Sequence, residues 1–224
     1  MKKYPTTSQV NNHTWAWGIT SLVLMLIGYA IYITFIVQDF VVPNSTTWSL
    51  WALGGTIEAW SFWKVISTNQ SGKRRSSDLA LTLPAIACAI LAIVLAVVAI
   101  TIGKFHWPQP WEWVVAVIDV SVVFTYLIIK AITGEESKAA KFANALMVAD
   151  IVLTFIPIWY STAQTPSGES VIPWTIWACS YAIIAFTALL QLDKSHRERA
   201  WMFLYPAVSA FTHGLVGYLA TTGT

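Results

Sequence analysis

Thirteen tryptophans stand in this chain beside very few charges. Four of them are spaced to do chemistry: Trp48 with Trp51, and Trp174 with Trp177. Residues three apart share a helix face, so each pair presents two indoles side by side. Such a pair can clamp a flat ring or the apolar face of a sugar; equally, it can belong to the tryptophan belt at a membrane–water boundary. Tyr181, one turn deeper than Trp177, would add a hydroxyl to orient a solute. The ionisable candidates are Glu58, Asp119, Asp150 and His213, each inside an apolar run and away from its ends. An Asp-like group at the centre of a membrane helix costs about 2.5–3.5 kcal/mol on insertion scales, so these residues are expected to face a cavity or a partner. Glu58 lies about eleven residues into its run, roughly 16 Å at 1.5 Å per residue, near the midplane. No Lys or Arg lies deep in any run, so at least one carboxyl is expected to be protonated, bonded to His213 or a hydroxyl, or facing water. Acids on a pathway favour a cationic or hydroxyl-rich solute, or proton coupling; a buried structural hydrogen bond is the alternative. Pro84, Pro157 and Pro206 each free a backbone carbonyl within an apolar run, giving either hinges or static kinks.

The elements that must position these residues follow from composition. Hydrophobic residues make up 56% of the chain and charged residues 11%, with a mean hydropathy of +0.61. That leaves too little polar surface to coat a soluble globule, and the chain is expected to be an all-α integral membrane protein. A helix needs about 20 residues to cross ~30 Å of hydrocarbon. The apolar runs then give seven spans, near 15–37, 48–66, 79–102, 113–131, 142–160, 173–191 and 199–220. Short polar turns between them leave no room for a soluble domain. The first run follows Lys2 and Lys3 but is longer than a signal-peptide core, and reads as a retained helix. Cys88 and Cys179 fall inside spans and read as small packing residues. Alternating the loops puts the Lys and Arg residues on one side and leaves only Lys104 on the other. The positive-inside rule therefore predicts a cytoplasmic N-terminus and an external C-terminus. The formal net charge of +2 is a topology signal and not a nucleic-acid footprint. Asn44-Ser45-Thr46 forms an acceptor sequon on the outer side, a pattern that also arises by chance.

The chain also echoes itself. Thr47-Trp48-Ser49-Leu50-Trp51-Ala52 returns 126 positions later as Pro173-Trp174-Thr175-Ile176-Trp177-Ala178. At the same offset Tyr29 falls on Phe155 and Ile57 on Ile183. At a nearby offset, Leu83-Pro84-Ala85-Ile86 falls on Tyr205-Pro206-Ala207-Val208. Repeats of this kind in a hydrophobic chain are a signature of small-solute transporters. They predict two parallel three-helix units, residues 1–103 and 138–224, joined by a linker helix within 104–137. The polar residues break the symmetry that the aromatics keep: Glu58 falls on Ile184, Asp150 on Leu24 and His213 on Leu91.

A three-plus-one-plus-three array with these landmarks resembles the SWEET and Pnu transporter superfamily, to which the PQ-loop proteins also belong. The run Asp150-Ile151-Val152-Leu153-Thr154-Phe155-Ile156-Pro157, a short Pro166/Gly168/Glu169 loop and then Pro173-Trp174-Thr175-Ile176-Trp177 look like the first helix, loop and second helix of one such unit. In the other unit Ile31 stands where Pro157 would. The inward N-terminus looks more like the Pnu-type vitamin-precursor transporters, although Gly55 and Tyr181 occupy the turn after each tryptophan pair, where those carry asparagine. The resemblance is closest to bacterial membrane proteins with a Ser-Trp-Leu-x-Trp-like signature. It implies a bacterial inner membrane, a small-molecule solute as partner, and Pro84, Pro157 and Pro206 as hinges for alternating access.

Other classes are set aside on the residues. A retinal Schiff base needs a lysine deep in the last helix, and residues 200–221 contain none. No metal spacing, phosphate loop or nucleophile–base pair stands out, so neither a cofactor nor an enzymatic activity is expected. The expectation is a carrier for a polar neutral or cationic solute such as a sugar, nucleoside or vitamin precursor. It would work by facilitated diffusion or proton coupling, and self-association stays open. Its binding residues would be Trp48, Trp51, Glu58, Asp150, Trp174, Trp177, Tyr181 and His213. The alternative is a non-transporting membrane subunit or sensor that docks a partner through its outer tryptophan pairs.

Overall fold

The computed structural model describes the backbone of residues 7–67, 76–133, 138–191 and 201–222, and side chains at 14–57, 59, 83–133, 145–189 and 203–222. Within these residues the chain forms seven helices and no strand. They are α1 (Thr7–Val37), α2 (Ser45–Ser67), α3 (Ser76–Thr101), α4 (Pro110–Ile132), α5 (Lys138–Gln164), α6 (Val171–Gln191) and α7 (Trp201–Thr221), with a 3-10 turn at Pro166–Gly168 before α6. Each apolar run of the sequence thus corresponds to one helix, with the ends shifted by a few residues and most at the start of α1. Five of them, α1, α3, α4, α5 and α6, are long and apolar enough to cross a membrane. The exterior agrees: Val114, Val117, Phe124 and Ile128 of α4 are all more than half exposed. A helix that shows this much apolar surface is solvated by lipid, and the chain is an integral membrane protein.

The helices pack in a definite order. α3 lies between α1 and α2, and α7 lies between α5 and α6; α1 packs on α6, α2 packs on α5, and α4 lies outside against α5 and α2. Small residues allow these approaches, as membrane packing requires where no hydrophobic force draws helices together. Ser21 of α1 and Ser180 of α6 bond reciprocally: each hydroxyl donates to the other's carbonyl, at 3.1 and 2.9 Å, and the two hydroxyl oxygens are 2.8 Å apart. A β-carbon on Gly28 would overlap the Trp177 indole, and one on Gly54 would stand 2.8 Å from Asp150 Oδ2. Gly55 meets α3 at the Ala89 backbone. Pro84, Pro157 and Pro206 lie inside α3, α5 and α7, where each is buried.

At the end where the α1–α2, α3–α4 and α5–α6 connections meet, short turns replace long loops. Asp39, just past α1, takes φ 63°, and Gly103, just past α3, takes φ 72°. Both are the left-handed positions that close a helix. The adjacent Lys104 forms an ion pair with Asp39. Asn44 caps α2 by accepting from the Thr47 N–H at 2.9 Å, and its amide donates to Glu112 Oε1 at 2.9 Å. The sequon asparagine is therefore engaged at both ends of its side chain. Glu112 Oε2 accepts from the Gln109 N–H at 2.7 Å, which fixes the start of α4 beside that of α2.

Candidate functional site

The two tryptophan pairs do not lie on the bilayer face. They converge: Trp48, Trp174 and Trp177 are no more than 1% exposed and Trp51 is 6% exposed. Every indole contacts the other three, with ring centroids 4.9–6.4 Å apart. The belt alternative read from the sequence is thereby answered, because belt residues would face headgroups. Tyr29 and Tyr32 of α1, Phe155 of α5 and His213 of α7 complete the cluster. Its geometry is reciprocal. Tyr29 meets Trp48 at 5.9 Å and 64°, while Phe155 meets Trp174 at 6.1 Å and 70°. Tyr29 meets Trp177 at 4.9 Å and 56°, while Phe155 meets Trp51 at 5.2 Å and 62°. Residues that correspond along the sequence thus occupy corresponding places across the α1–α6 and α2–α5 contacts. The indole pairs themselves depart from this: Trp48 and Trp51 stack at 26°, but Trp174 and Trp177 meet edge-on at 82°.

What breaks the symmetry is Glu169, in the turn before α6. Its Oε2 accepts from the Trp174 indole N–H and its Oε1 from the Tyr32 hydroxyl, each at 2.8 Å. Trp48 donates its own indole N–H to Tyr32 Oη at 3.4 Å. The first tryptophan of each pair therefore directs its N–H to one carboxyl, directly or through a tyrosine. Glu169 is 8% exposed. Burial raises its pKa from 4.5 to about 8, against the bonds from Trp174, Tyr32 and the Ser170 backbone, which pull it down. The sequence reading used Glu169 only as a loop landmark. The one signal available was an acid five residues before a paired tryptophan, and nothing local says that it is buried.

Beside this cluster, and sharing Glu169 with it, lies a cavity of about 480 Å³ whose lining also includes Glu112. Glu112 is 6% exposed and accepts from Asn44, Thr46 and Gln109. Trp107, Trp111 and Tyr160 supply aromatic walls, the last two with rings 4.8 Å apart. Thr162 also lines the cavity; it is 1% exposed and its hydroxyl has no hydrogen-bond partner. Among the described residues no Lys or Arg borders this space.

The other residues singled out from the sequence are divided among several places. The Glu58 side chain lies outside the described residues. Asp150 and Asp119 face each other where α4 packs on α5, on the side of α5 that meets Gly54. Asp119 is wholly buried, with the Asp150 carboxyl as a polar contact. His213 joins the aromatic cluster, but Nδ1 lies 2.6 Å from the Ser209 carbonyl oxygen, so this nitrogen carries the proton, and Nε2 has no partner. Its bond goes to its own helix and to none of the acids. Tyr181 donates to Cys88 Sγ at 3.1 Å, and Tyr29 donates to the Cys88 carbonyl at 3.3 Å. Cys88 is thus a hydrogen-bonding junction between α1, α3 and α6 as well as a packing residue. Cys88 and Cys179 form no disulfide. No grouping of His, Cys, Asp and Glu among the described residues could hold a metal.

No protein-family model, no curated protein and no solved structure matches this chain.

Proposed function

We propose that the chain is a small-solute membrane carrier with seven spans in a SWEET/Pnu-like arrangement, two parallel three-helix units joined by the linker helix α4. The reading is supported by the recurrence of one residue pattern, by the shared order in which the third helix of each unit lies between the other two, and by the reciprocal ring contacts of Tyr29 and Phe155. The N-terminus is cytoplasmic on the positive-inside count, and the cavity bounded by Glu112 and Glu169 then opens outside.

The observation that carries the proposal is the convergence of both units on Glu169, beside a cavity large enough for a small molecule. In this conformation the four indoles form a plug beside the cavity. A rocking of one unit against the other would part Trp48 and Trp51 from Trp174 and Trp177 and open a path past them, as alternating access requires. Tyr32, Trp174 and Glu169 would receive a polar neutral or cationic solute on the outer side of the plug. The Asp119–Asp150 contact gives a place for a coupling proton, since two adjacent carboxyls in low dielectric favour sharing one. Burial of the indoles weighs against the alternative in which they dock a partner, because a docking face must be exposed.

The test is uptake of radiolabelled sugars, nucleosides and vitamin precursors into proteoliposomes. The native chain is expected to move at least one of these above empty vesicles, with loss of uptake in Trp177→Ala and Glu169→Gln and a reduced rate in Glu58→Gln. If no solute moves, the carrier reading is lost.

A further inference from the structure

We propose that the outer cavity is a recognition site for a small organic ammonium ion, held between the carboxyls of Glu169 and Glu112 and walled by Trp107, Trp111 and Tyr160. As the entry site of a transported substrate it rests on the carrier reading, but binding itself does not require transport.

Charge balance carries the argument. Two carboxyls, each more than nine-tenths buried, border one cavity. Their described donors are neutral: Asn44, Thr46 and Gln109 on one, Tyr32, Trp174 and the Ser170 backbone on the other. The cation nearest along the chain, Lys104, is taken by exposed Asp39. Donor groups converging on both oxygens of Glu169 suit its ionised form, because a protonated carboxyl would turn one of those oxygens into a donor. Burial opposes ionisation, so the anion needs a positive charge nearby that the protein does not supply. Thr162 adds a buried hydroxyl still lacking a partner, which suits a ligand bearing a polar group beside its charge.

The walls decide the class of cation. A bare metal ion would need these oxygens as direct ligands at about 2.0–2.6 Å, displacing the donors that already hold them. An alkylated ammonium leaves those bonds in place and meets the rings of Trp111, Trp107 and Tyr160 in the lining, the kind of surface that attracts such a cation. A volume of about 480 Å³ also far exceeds what one metal ion fills. With the cavity empty near neutral pH, Glu169 holds its proton. Binding therefore releases it: the neutral carboxyl and the ammonium ion become a carboxylate–ammonium pair plus one free proton. The other titratable groups around this carboxyl are Tyr32 from α1, bonded to it, His213 from α7, against the Trp174 ring, and Glu112, His106 and Tyr160 in the lining of the same cavity.

The experiment is calorimetric titration of the full chain in detergent with tetramethylammonium, choline and benzyltrimethylammonium, each against its neutral carbon isostere. At least one ammonium ion is expected to bind with Kd below about 1 mM, and its isostere at least tenfold more weakly. Glu169→Gln, checked for an unchanged size-exclusion profile, should weaken ammonium binding at least tenfold. Proton release, measured in weak buffer, should fall away as pH rises past 9. No binding by any of the three ions, equal binding by a neutral isostere, or native affinity in Glu169→Gln overturns the proposal. The two readings fail separately. Ammonium binding without uptake of any solute removes the carrier and leaves this site; uptake without ammonium binding does the reverse.

Discussion

Trp177 lies against Gly28 so closely that no β-carbon fits between them, and its indole N–H reaches the Met25 carbonyl at 3.4 Å. This contact fixes α1 against α6 and, through Trp177, holds the aromatic plug together. Gly28→Ala is expected to force the indole or α1 aside at a cost of about 1–3 kcal/mol. Thermal unfolding in detergent should show a lower Tm. Trp177→Ala should remove that penalty, so the double variant loses less stability than the two singles added together. Strict additivity would mean that the two residues do not share the contact.

Glu169 gives a pH signature. Its carboxyl is raised from 4.5 to about 8 in the folded chain, so between those values the folded state holds a proton that the unfolded state has released. Its contribution to stability therefore falls as pH climbs from about 4.5 through 8. The shift corresponds to a few kcal/mol at roughly 1.4 kcal/mol per pH unit. Glu169→Gln cannot ionise and should flatten this part of the profile. Unfolding curves at several pH values between 5 and 9 decide it, and parallel profiles for native chain and variant would count against a raised carboxyl.

Asp119 separates structure from function. Because Asp119 is wholly buried against the Asp150 carboxyl, Asp119→Leu should lower Tm at a cost of about 1–3 kcal/mol, as removal of one partner of a buried polar pair usually does. If the Asp119–Asp150 contact carries a coupling proton, the same variant should lose the component of uptake driven by a pH gradient. A folded variant with native pH-driven uptake would assign the pair no role in coupling.

Tyr181 and Tyr29 both donate to Cys88. Tyr181→Phe should cost about 0.5–1.5 kcal/mol, the range for one buried hydrogen bond. Cys88 in that variant should still resist maleimide, being 1% exposed. Rapid labelling of Cys88 would show that the tyrosine hydroxyl closes access to α3.

The sequence alone determined much of the architecture. Seven apolar runs became seven helices because apolar content and length are properties of a segment, legible before any contact is known. The tryptophan spacing placed each pair on one helix face, and the 126-residue echo matched Tyr29 with Phe155 before their rings were seen in equivalent places. Tertiary structure decided everything that depends on which way a face points. The same Trp48 and Trp174 would satisfy a lipid boundary or a protein interior, and only packing turned their N–H groups inward, one to Glu169 and the other to the Tyr32 hydroxyl that bonds the same acid. Glu169 sits in a polar turn, where an acid is ordinarily solvated; the folding of Tyr32, more than a hundred residues earlier, against Trp174 is what buries it. From the sequence a carboxyl is one of several partners open to His213; in the fold it bonds to the carbonyl one turn back on its own helix, a partner that helical geometry supplies. A local pattern fixes what a residue can do, and its surroundings, drawn from distant parts of the chain, fix what it faces.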